Sequence, residues 1–252
     1  MGIFGRIDTF ITWFDGVVWG LPLIILILVT GIFLTVRLGL LQVRYLGKAL
    51  KFMVKNEEDG HGEVTSFGAL CTALSATIGT GNIVGVATAI SAGGPGALFW
   101  MILTAFLGMA TKYSEGLLAV KYRTIDEDGH VLGGPFYYIE KGMGKNFKWL
   151  AKLFCVFGTM VGLFGIGTFT QVNGITSAVN NFFDPSNVHT ISLFGMNYSI
   201  SVVVAGIIVT ICAGLVIIGG IKRISKVSEV IVPFMAVTYI GVCLIIVFTH
   251  LP

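Results

Sequence analysis

The reading of this chain turns on residues 66–90, SFGALCTALSATIGTGNIVGVATAI, a run free of Asp, Glu, Lys and Arg whose two ends suit a helix and whose centre does not. An internal glycine costs a helix about 1 kcal/mol relative to alanine, and Gly79-Thr80-Gly81-Asn82 places two within three residues. The helix is therefore expected to unwind over 79–82. In lipid the freed N–H and C=O groups find no solvent, so such a turn persists only where it lines a cavity or holds a ligand. The helix resumed at Asn82 aims its N–H groups and positive dipole end at the interruption, which favours an anion such as a carboxylate. The carbonyls that end the first half face the opposite way and suit a cation. One broken helix thus offers both halves of a zwitterion-and-ion site, as in secondary transporters. Glycines that only let helices approach one another would not need Ser75, Thr77, Thr80 and Asn82 crowded beside them.

Composition places this helix in a membrane. Of 252 residues, 55% are hydrophobic and 12% charged, against roughly 25% charged in a soluble domain. Residues 16–36, 64–111, 153–183, 185–221 and 230–252 carry no Asp, Glu, Lys or Arg. Each reaches the ~20 residues that a helix needs to cross a bilayer. Gly93-Gly94-Pro95-Gly96 divides the longest run as a turn. Six crossings result: 17–35, 66–90 with its break, the stretch after Gly96, 149–179, 198–219 and 229–249, with Asp184-Pro185-Ser186-Asn187 as a hydrophilic break. The chain therefore divides into an N-terminal interfacial segment and extra helix (1–36), a basic cytoplasmic loop (37–63), and a helical bundle (64–252).

Cytoplasmic loops collect Lys and Arg, and 14 of the 16 basic residues fall on one side of these crossings: five from Arg37 to Lys55, six from Lys121 to Lys152, and Lys222, Arg223 and Lys226. That puts the N-terminus outside. The basic residues flank membrane segments and form no surface stripe, so nucleic acid is not an expected partner; membrane lipid is. The chain stops at Pro252 directly after a helix, which suggests an N-terminal fragment or one half of a split gene.

No Asp, Glu or His lies in the middle of a crossing, so a proton relay has no carrier there. A cation held by neutral carbonyl, hydroxyl and amide oxygens should be monovalent, since divalent ions favour carboxylates; sodium is expected. Lys112 and Glu115 are read as a mutual pair near the inner end of the third crossing. The four cysteines, at 71, 155, 212 and 243, sit in apolar segments without CxxC spacing and read as packing residues. In the fourth crossing, Gln171 and Asn173 are two apart and cannot share a face; Gln171 is the candidate for the site. Gly158, Gly162 and Gly165 follow a small-residue spacing and are read as packing.

Three motifs carry a family resemblance: Gly79-Thr80-Gly81-Asn82-Ile83; Gly93-Gly94-Pro95-Gly96-Ala97-Leu98-Phe99-Trp100-Met101; and Gly108-Met109-Ala110-Thr111-Lys112-Tyr113-Ser114-Glu115. With the loop Gly133-Gly134-Pro135-Phe136-Tyr137-Tyr138-Ile139, they are similar to the alanine or glycine:cation symporters, also called sodium/alanine symporters. Ile102 departs from the signature, which usually continues with a second tryptophan. The resemblance implies an all-α polytopic protein of the leucine-transporter-type (APC superfamily) fold. Its first five-helix inverted repeat would follow one extra N-terminal helix, and the second repeat would be absent from this chain. It implies sodium-coupled import of small neutral amino acids, alanine and glycine among them, across the cell membrane, with sodium as the transported, coupling ion. A complementary C-terminal half is then an expected partner, and no transport is expected without it. By the same correspondence Thr80, Gly81, Asn82, Gly167, Phe169 and Gln171 line the substrate site, while Ser75, Thr77, Ile78 and Asn82 hold sodium.

Two other classes compete. An intramembrane enzyme would need a nucleophile with its base, or metal ligands, at membrane depth, and the four His lie at 61, 130 and 189 in loops and at 250 by the terminus. An oligomeric cation channel could ring its pore with Gly-Thr-Gly carbonyls, and a non-transporting membrane scaffold is the remaining alternative.

Overall fold

A computed structural model describes residues 3–54, 63–165, 167–193 and 195–250. Lys55 and His61 of the expected basic loop, Ile166, and Pro252 lie outside the described residues. The helices are α1 (Ile3–Val18), α2 (Leu21–Arg37), α3 (Leu41–Arg44), α4 (Leu46–Val54), α5 (Ser66–Thr77), α6 (Val84–Gly93), α7 (Pro95–Lys121), α8 (Pro135–Gly142), α9 (Lys148–Leu163), α10 (Thr168–Phe183), α11 (Ile200–Ile217) and α12 (Gly220–Thr249). Four short strands also form: β1 (Thr124–Ile125), β2 (Val131–Leu132), β3 (Thr190–Leu193) and β4 (Met196–Ser199). The described chain is mostly helical, and both ribbons are confined to the connections between helices. Among the described residues five helical stretches are long and apolar enough to span a bilayer, Gly5–Arg37, Pro95–Lys121, Lys145–Phe183, Ile200–Ile217 and Gly220–Thr249. The bent pair Ser66–Thr77 and Thr80–Gly93 adds a sixth. The chain is a polytopic helical membrane protein. In each of the five continuous stretches only 6% of the most apolar window is buried among the described residues, which leaves the rest for lipid or further helices.

The chain divides into two compact units. In the first (Met1–Leu50, Ala89–Ile125 and Leu132–Ala151) α2 packs on α7. They approach at Gly31, where a Cβ would stand 2.9 Å from that of Leu107. Beside this contact Gln42 ties the two helices: its Nε2 donates to Thr35 Oγ1 at 2.9 Å and to the Phe106 carbonyl at 3.1 Å. Two helices of this unit begin the same way. Gly94, at φ +68°, and Gly134, at φ +115°, each precede a proline that occupies the first helical position, where its missing N–H is no loss. Lys112 and Glu115 pair at 3.0 Å along α7, as their spacing implies.

In the second unit (Lys51–Thr88, Asp126–Val131 and Lys152–Pro252) α5 packs on α12, and α10 on α11. The α5 contact is polar at its start. Thr65 caps the helix by accepting from the Gly68 N–H at 2.9 Å and donates its own hydroxyl to Glu229 at 3.0 Å. Farther along, Ser228 donates to Ser75 at 3.4 Å, while Cys71, Ser225 and Ser228 are buried. The fourth crossing is not one helix. Gly165 (φ +59°) and Gly167 (φ +87°) adopt left-handed conformations that separate α9 from α10. Gly165 is therefore a breaker and not the packing residue its spacing suggests, while a Cβ at Gly158 or Gly162 would meet nothing within 4 Å among the described residues.

The expected break at 184–187 is an organised cap. Asp184 accepts from the N–H groups of Val188 (2.9 Å) and His189 (3.0 Å) and from the Ser199 hydroxyl (3.2 Å). Ser199, at the end of the antiparallel β3–β4 ribbon, passes the network to Ser201 and thence to Asn180 on α10. The donated bonds, the Val188 N–H foremost, hold the Asp184 carboxyl below its ordinary 3.8.

Two outcomes follow. Gly31→Ala should lower stability in detergent by about 1–3 kcal/mol, because the added methyl meets Leu107. Gly116→Ala in α7, where a Cβ meets nothing, should be neutral or gain up to about 1 kcal/mol; equal effects would disprove the close approach. The lowered Asp184 value means that its stabilisation is complete above the ordinary carboxylate range and is lost as pH falls through the folded value. Thermal unfolding midpoints taken from about pH 6 to about pH 3 should fall more steeply for the native chain than for Asp184→Asn, which starts lower and loses that component of the acid slope.

Candidate functional site

The interruption forms where the sequence places it. α5 ends at Thr77, Ile78 is extended (φ −89°, ψ 117°), and a single 3-10 turn, Thr80–Asn82, precedes α6. The two halves meet at a bend of 71°. Ile78 still donates to the Leu74 carbonyl at 2.8 Å, but the next two N–H groups leave the helix. Gly79 donates to the side-chain Oδ1 of Asn82 at 3.0 Å, and Thr80 donates to Oε1 of Gln171 on α10 at 2.8 Å. In an uninterrupted helix those donors would close on the carbonyls of Ser75 and Ala76. Both carbonyls are thus released from helical pairing at the end of α5.

Close approach makes this possible. A Cβ on Gly79 would collide with the Gln171 amide, and one on Gly174 would stand 2.7 Å from the Thr80 methyl carbon. Gln171 and Gly174 are three apart and so share one face of α10, which lies against the turn. The nearby hydroxyls spend their protons along their own helix: Ser75 donates to the Thr72 carbonyl at 2.7 Å and Thr77 to the Ala73 carbonyl at 2.8 Å. The Thr77 oxygen keeps both lone pairs, and the Ser75 oxygen, which accepts from Ser228, keeps one. Gly81 and Asn82 are exposed, and a Cβ on Gly81 would meet nothing within 4 Å. The released oxygens are carbonyl, hydroxyl and amide, a donor set without the carboxylates that divalent ions favour.

The structure brings Thr80, Asn82 and Gln171 together, with Ser75, Thr77 and Ile78 directly upstream on the same chain segment. Gly167 and Phe169 are placed differently. Gly167 caps α10, its carbonyl accepting from Thr170 and Gln171, while Phe169 is 75% exposed and packs against Gly165. The Thr80 N–H is held by Gln171 Oε1 in this structure. Two members of the site were missed by reading side chains alone. Ala76 contributes a carbonyl, and counting helical bonds across Gly79 and Thr80 would have found it. Gly174 contributes clearance, and its three-residue spacing from Gln171 was the available signal.

The chain is 54% identical over 97% of its length to an uncharacterized transporter of Haemophilus influenzae, of which it covers 50%. It is 47% identical over 91% of its length to the sodium/alanine symporter AgcS of Methanococcus maripaludis, covering 48% of that protein. With the probable sodium/glutamine symporter GlnT of Bacillus subtilis the identity is 37% over 94% of this chain and 46% of the relative. The chain therefore spans about half the length of these relatives. The sequence profile of the sodium:alanine symporter family matches residues 5–252, nearly the whole chain, and the chain belongs to that family.

Proposed function

We propose that this chain supplies the substrate- and sodium-binding broken helix of a sodium-coupled symporter that imports small neutral amino acids such as alanine and glycine. The observation that carries the reading is the pair of carbonyls released at Ser75 and Ala76 where Gly79 and Thr80 donate elsewhere. Family membership and the name of the archaeal relative support sodium and alanine as the transported pair. In this reading Ser75, Ala76, Thr77 and Ile78 present oxygens to sodium, and Asn82 stands between the ion and the substrate. Gly81 and the resumed helix receive the amino-acid carboxylate. Gln171 holds the turn in shape and releases the Thr80 N–H as the carboxylate arrives. Gly167 and Phe169 enter the substrate pocket only through movement at the α9–α10 break.

The same reading places the N-terminus outside the cell membrane. It gives the chain a leucine-transporter-type repeat after one extra helix, and assigns the rest of the pocket to a complementary C-terminal half, since the relatives are about twice as long. A symporter consumes a sodium gradient; a channel conducts without substrate.

The test is uptake of labelled alanine by proteoliposomes holding this chain together with the C-terminal half of a relative. Uptake driven by an inward sodium gradient, absent with potassium and absent from the chain alone, is the expected result. Equal uptake in potassium, or none in either salt, would overturn the assignment. Gln171→Leu leaves the Thr80 N–H without an acceptor, a loss of about 1–3 kcal/mol, and should lower sodium-driven uptake by about ten- to a hundredfold. Gln171→Glu retains an acceptor oxygen and should recover part of that loss.

A further inference from the structure

The end of α5 has a neighbour whose polar groups the broken helix alone does not explain. α12 lies along α5 and runs the same way past it, Gly68 standing against Ser225 and Ser75 against Ser228. Ser228 is 7% exposed, and among the described residues its one hydrogen bond goes to Ser75 at 3.4 Å. Hydroxyl pairs ordinarily close to about 2.5–3.0 Å, so these two oxygens are held apart. Sodium has nearly the radius of calcium, and two oxygens at right angles around such a cation, about 2.4 Å from it, stand about 3.4 Å from each other. Ser75 is itself exposed, which leaves the pair open on one side.

A further oxygen is set free on the same stretch of α12. Pro233 lies inside the helix, and a proline has no N–H to give to the carbonyl four residues earlier, here that of Glu229. Ser225, Ser228 and Val232 are the buried residues of α12, and Glu229 flanks the face they form. The Glu229 carboxylate turns back to the start of α5, where Thr65 donates to it. Its backbone carbonyl points onward along α12, as helical carbonyls do, in the direction in which the Ser75 and Ala76 carbonyls leave α5. A carbonyl without its N–H inside a membrane span is tolerated where a neighbouring group or a ligand satisfies it. Each of the two helices thus brings a serine hydroxyl and carbonyl oxygen without a helical partner to one contact.

We propose that α12 completes the sodium site, with the Ser228 hydroxyl and the Glu229 carbonyl as ligands beside the Ser75 hydroxyl and the Ser75 and Ala76 carbonyls. The assignment rests on the sodium-coupled reading given above. As the ion enters, Ser228 gives up its bond to Ser75 and turns its proton to a carbonyl of the preceding turn of its own helix, as Ser75 already does to Thr72. Both hydroxyl oxygens then face the ion, and the Glu229 carboxylate stays with Thr65, so the ligands remain neutral. The ion joins α5 to α12, and its departure leaves only the long serine contact at that level.

The test is binding of radioactive sodium to the purified chain joined with the C-terminal half of a relative, alongside alanine uptake by the same assembly in proteoliposomes. Ser228→Ala should raise the half-saturating sodium concentration about fivefold, the equivalent of the ~1 kcal/mol of one neutral polar contact, and Ser228→Thr, which keeps the hydroxyl, should recover most of that loss. Pro233→Ala returns an N–H to the Glu229 carbonyl and should weaken sodium binding severalfold, although it relieves the helix of a proline; a purely structural role for Pro233 gives no such loss. Ser225→Ala removes an equally buried hydroxyl one turn earlier and should leave sodium affinity unchanged. At saturating sodium the KM for alanine should stay near the native value in all four variants. Unchanged sodium affinity in Ser228→Ala or Pro233→Ala, or an equal shift in Ser225→Ala, would overturn the proposal, while sodium-driven uptake by the native assembly would still uphold the symport reading. Shifts as expected in an assembly that takes up no alanine would support the α12 ligands and sink the symport reading instead.

Discussion

A backbone interrupted inside a bilayer has no water to complete its hydrogen bonds, and the second unit is arranged around that constraint. Two N–H groups leave the helical ladder at Gly79 and Thr80, and each is met by an amide side chain, one local and one from α10. The donors are satisfied by the protein while the matching carbonyls are not. The imbalance gives the turn net acceptor character at the end of α5, which is what a desolvated cation requires. Asn82 and Gln171 thus convert a structural defect into a polarised site, and their being neutral keeps that polarity a matter of dipoles.

The position of the interruption was legible because glycine propensity acts locally: Gly79-Thr80-Gly81-Asn82 unwinds whatever surrounds it. The number of spans was legible for the same kind of reason, since length and apolarity are properties of a segment. Gln171 was recognised as a polar amide with no reason to be in an apolar helix, and it does reach the turn. Gly167 and Phe169 lie at the break between α9 and α10, which a reading of the fourth crossing as one continuous helix does not anticipate. The reversal of φ at Gly165 and Gly167 resets the phase of every side chain nearby, and glycine spacing alone does not distinguish a breaker from a packing contact. Ala76 was overlooked because its contribution is a carbonyl, which side-chain chemistry does not reveal.

The two units carry their polar chemistry in different ways. In the first, Gln42 spends its amide nitrogen on binding α2 and α7 together, and its buried Oε1 has no hydrogen-bond partner among the described residues. In the second, polar contacts lie at helix ends, Thr65 with Glu229 where α5 begins and the Asp184 network where α10 gives way to the β3–β4 ribbon, and also midway, at the 79–82 turn and between Ser75 and Ser228. The five continuous spans are otherwise apolar and bury little of themselves. Specificity of helix pairing in such a bundle comes from a few polar latches and close approaches, since apolar surface in lipid does not discriminate one neighbour from another.

The clearance between Gly79 and Gln171 has an evolutionary consequence. The space that the missing Cβ leaves at 79 is filled by the very amide that serves Thr80, and Gly174 does the same for the Thr80 side chain. A larger residue at 79 would demand a shorter one at 171, and a shorter one at 171 would forfeit the acceptor. Positions 79, 80, 171 and 174 therefore form a set whose members cannot drift one at a time, although they lie some ninety residues apart in the chain.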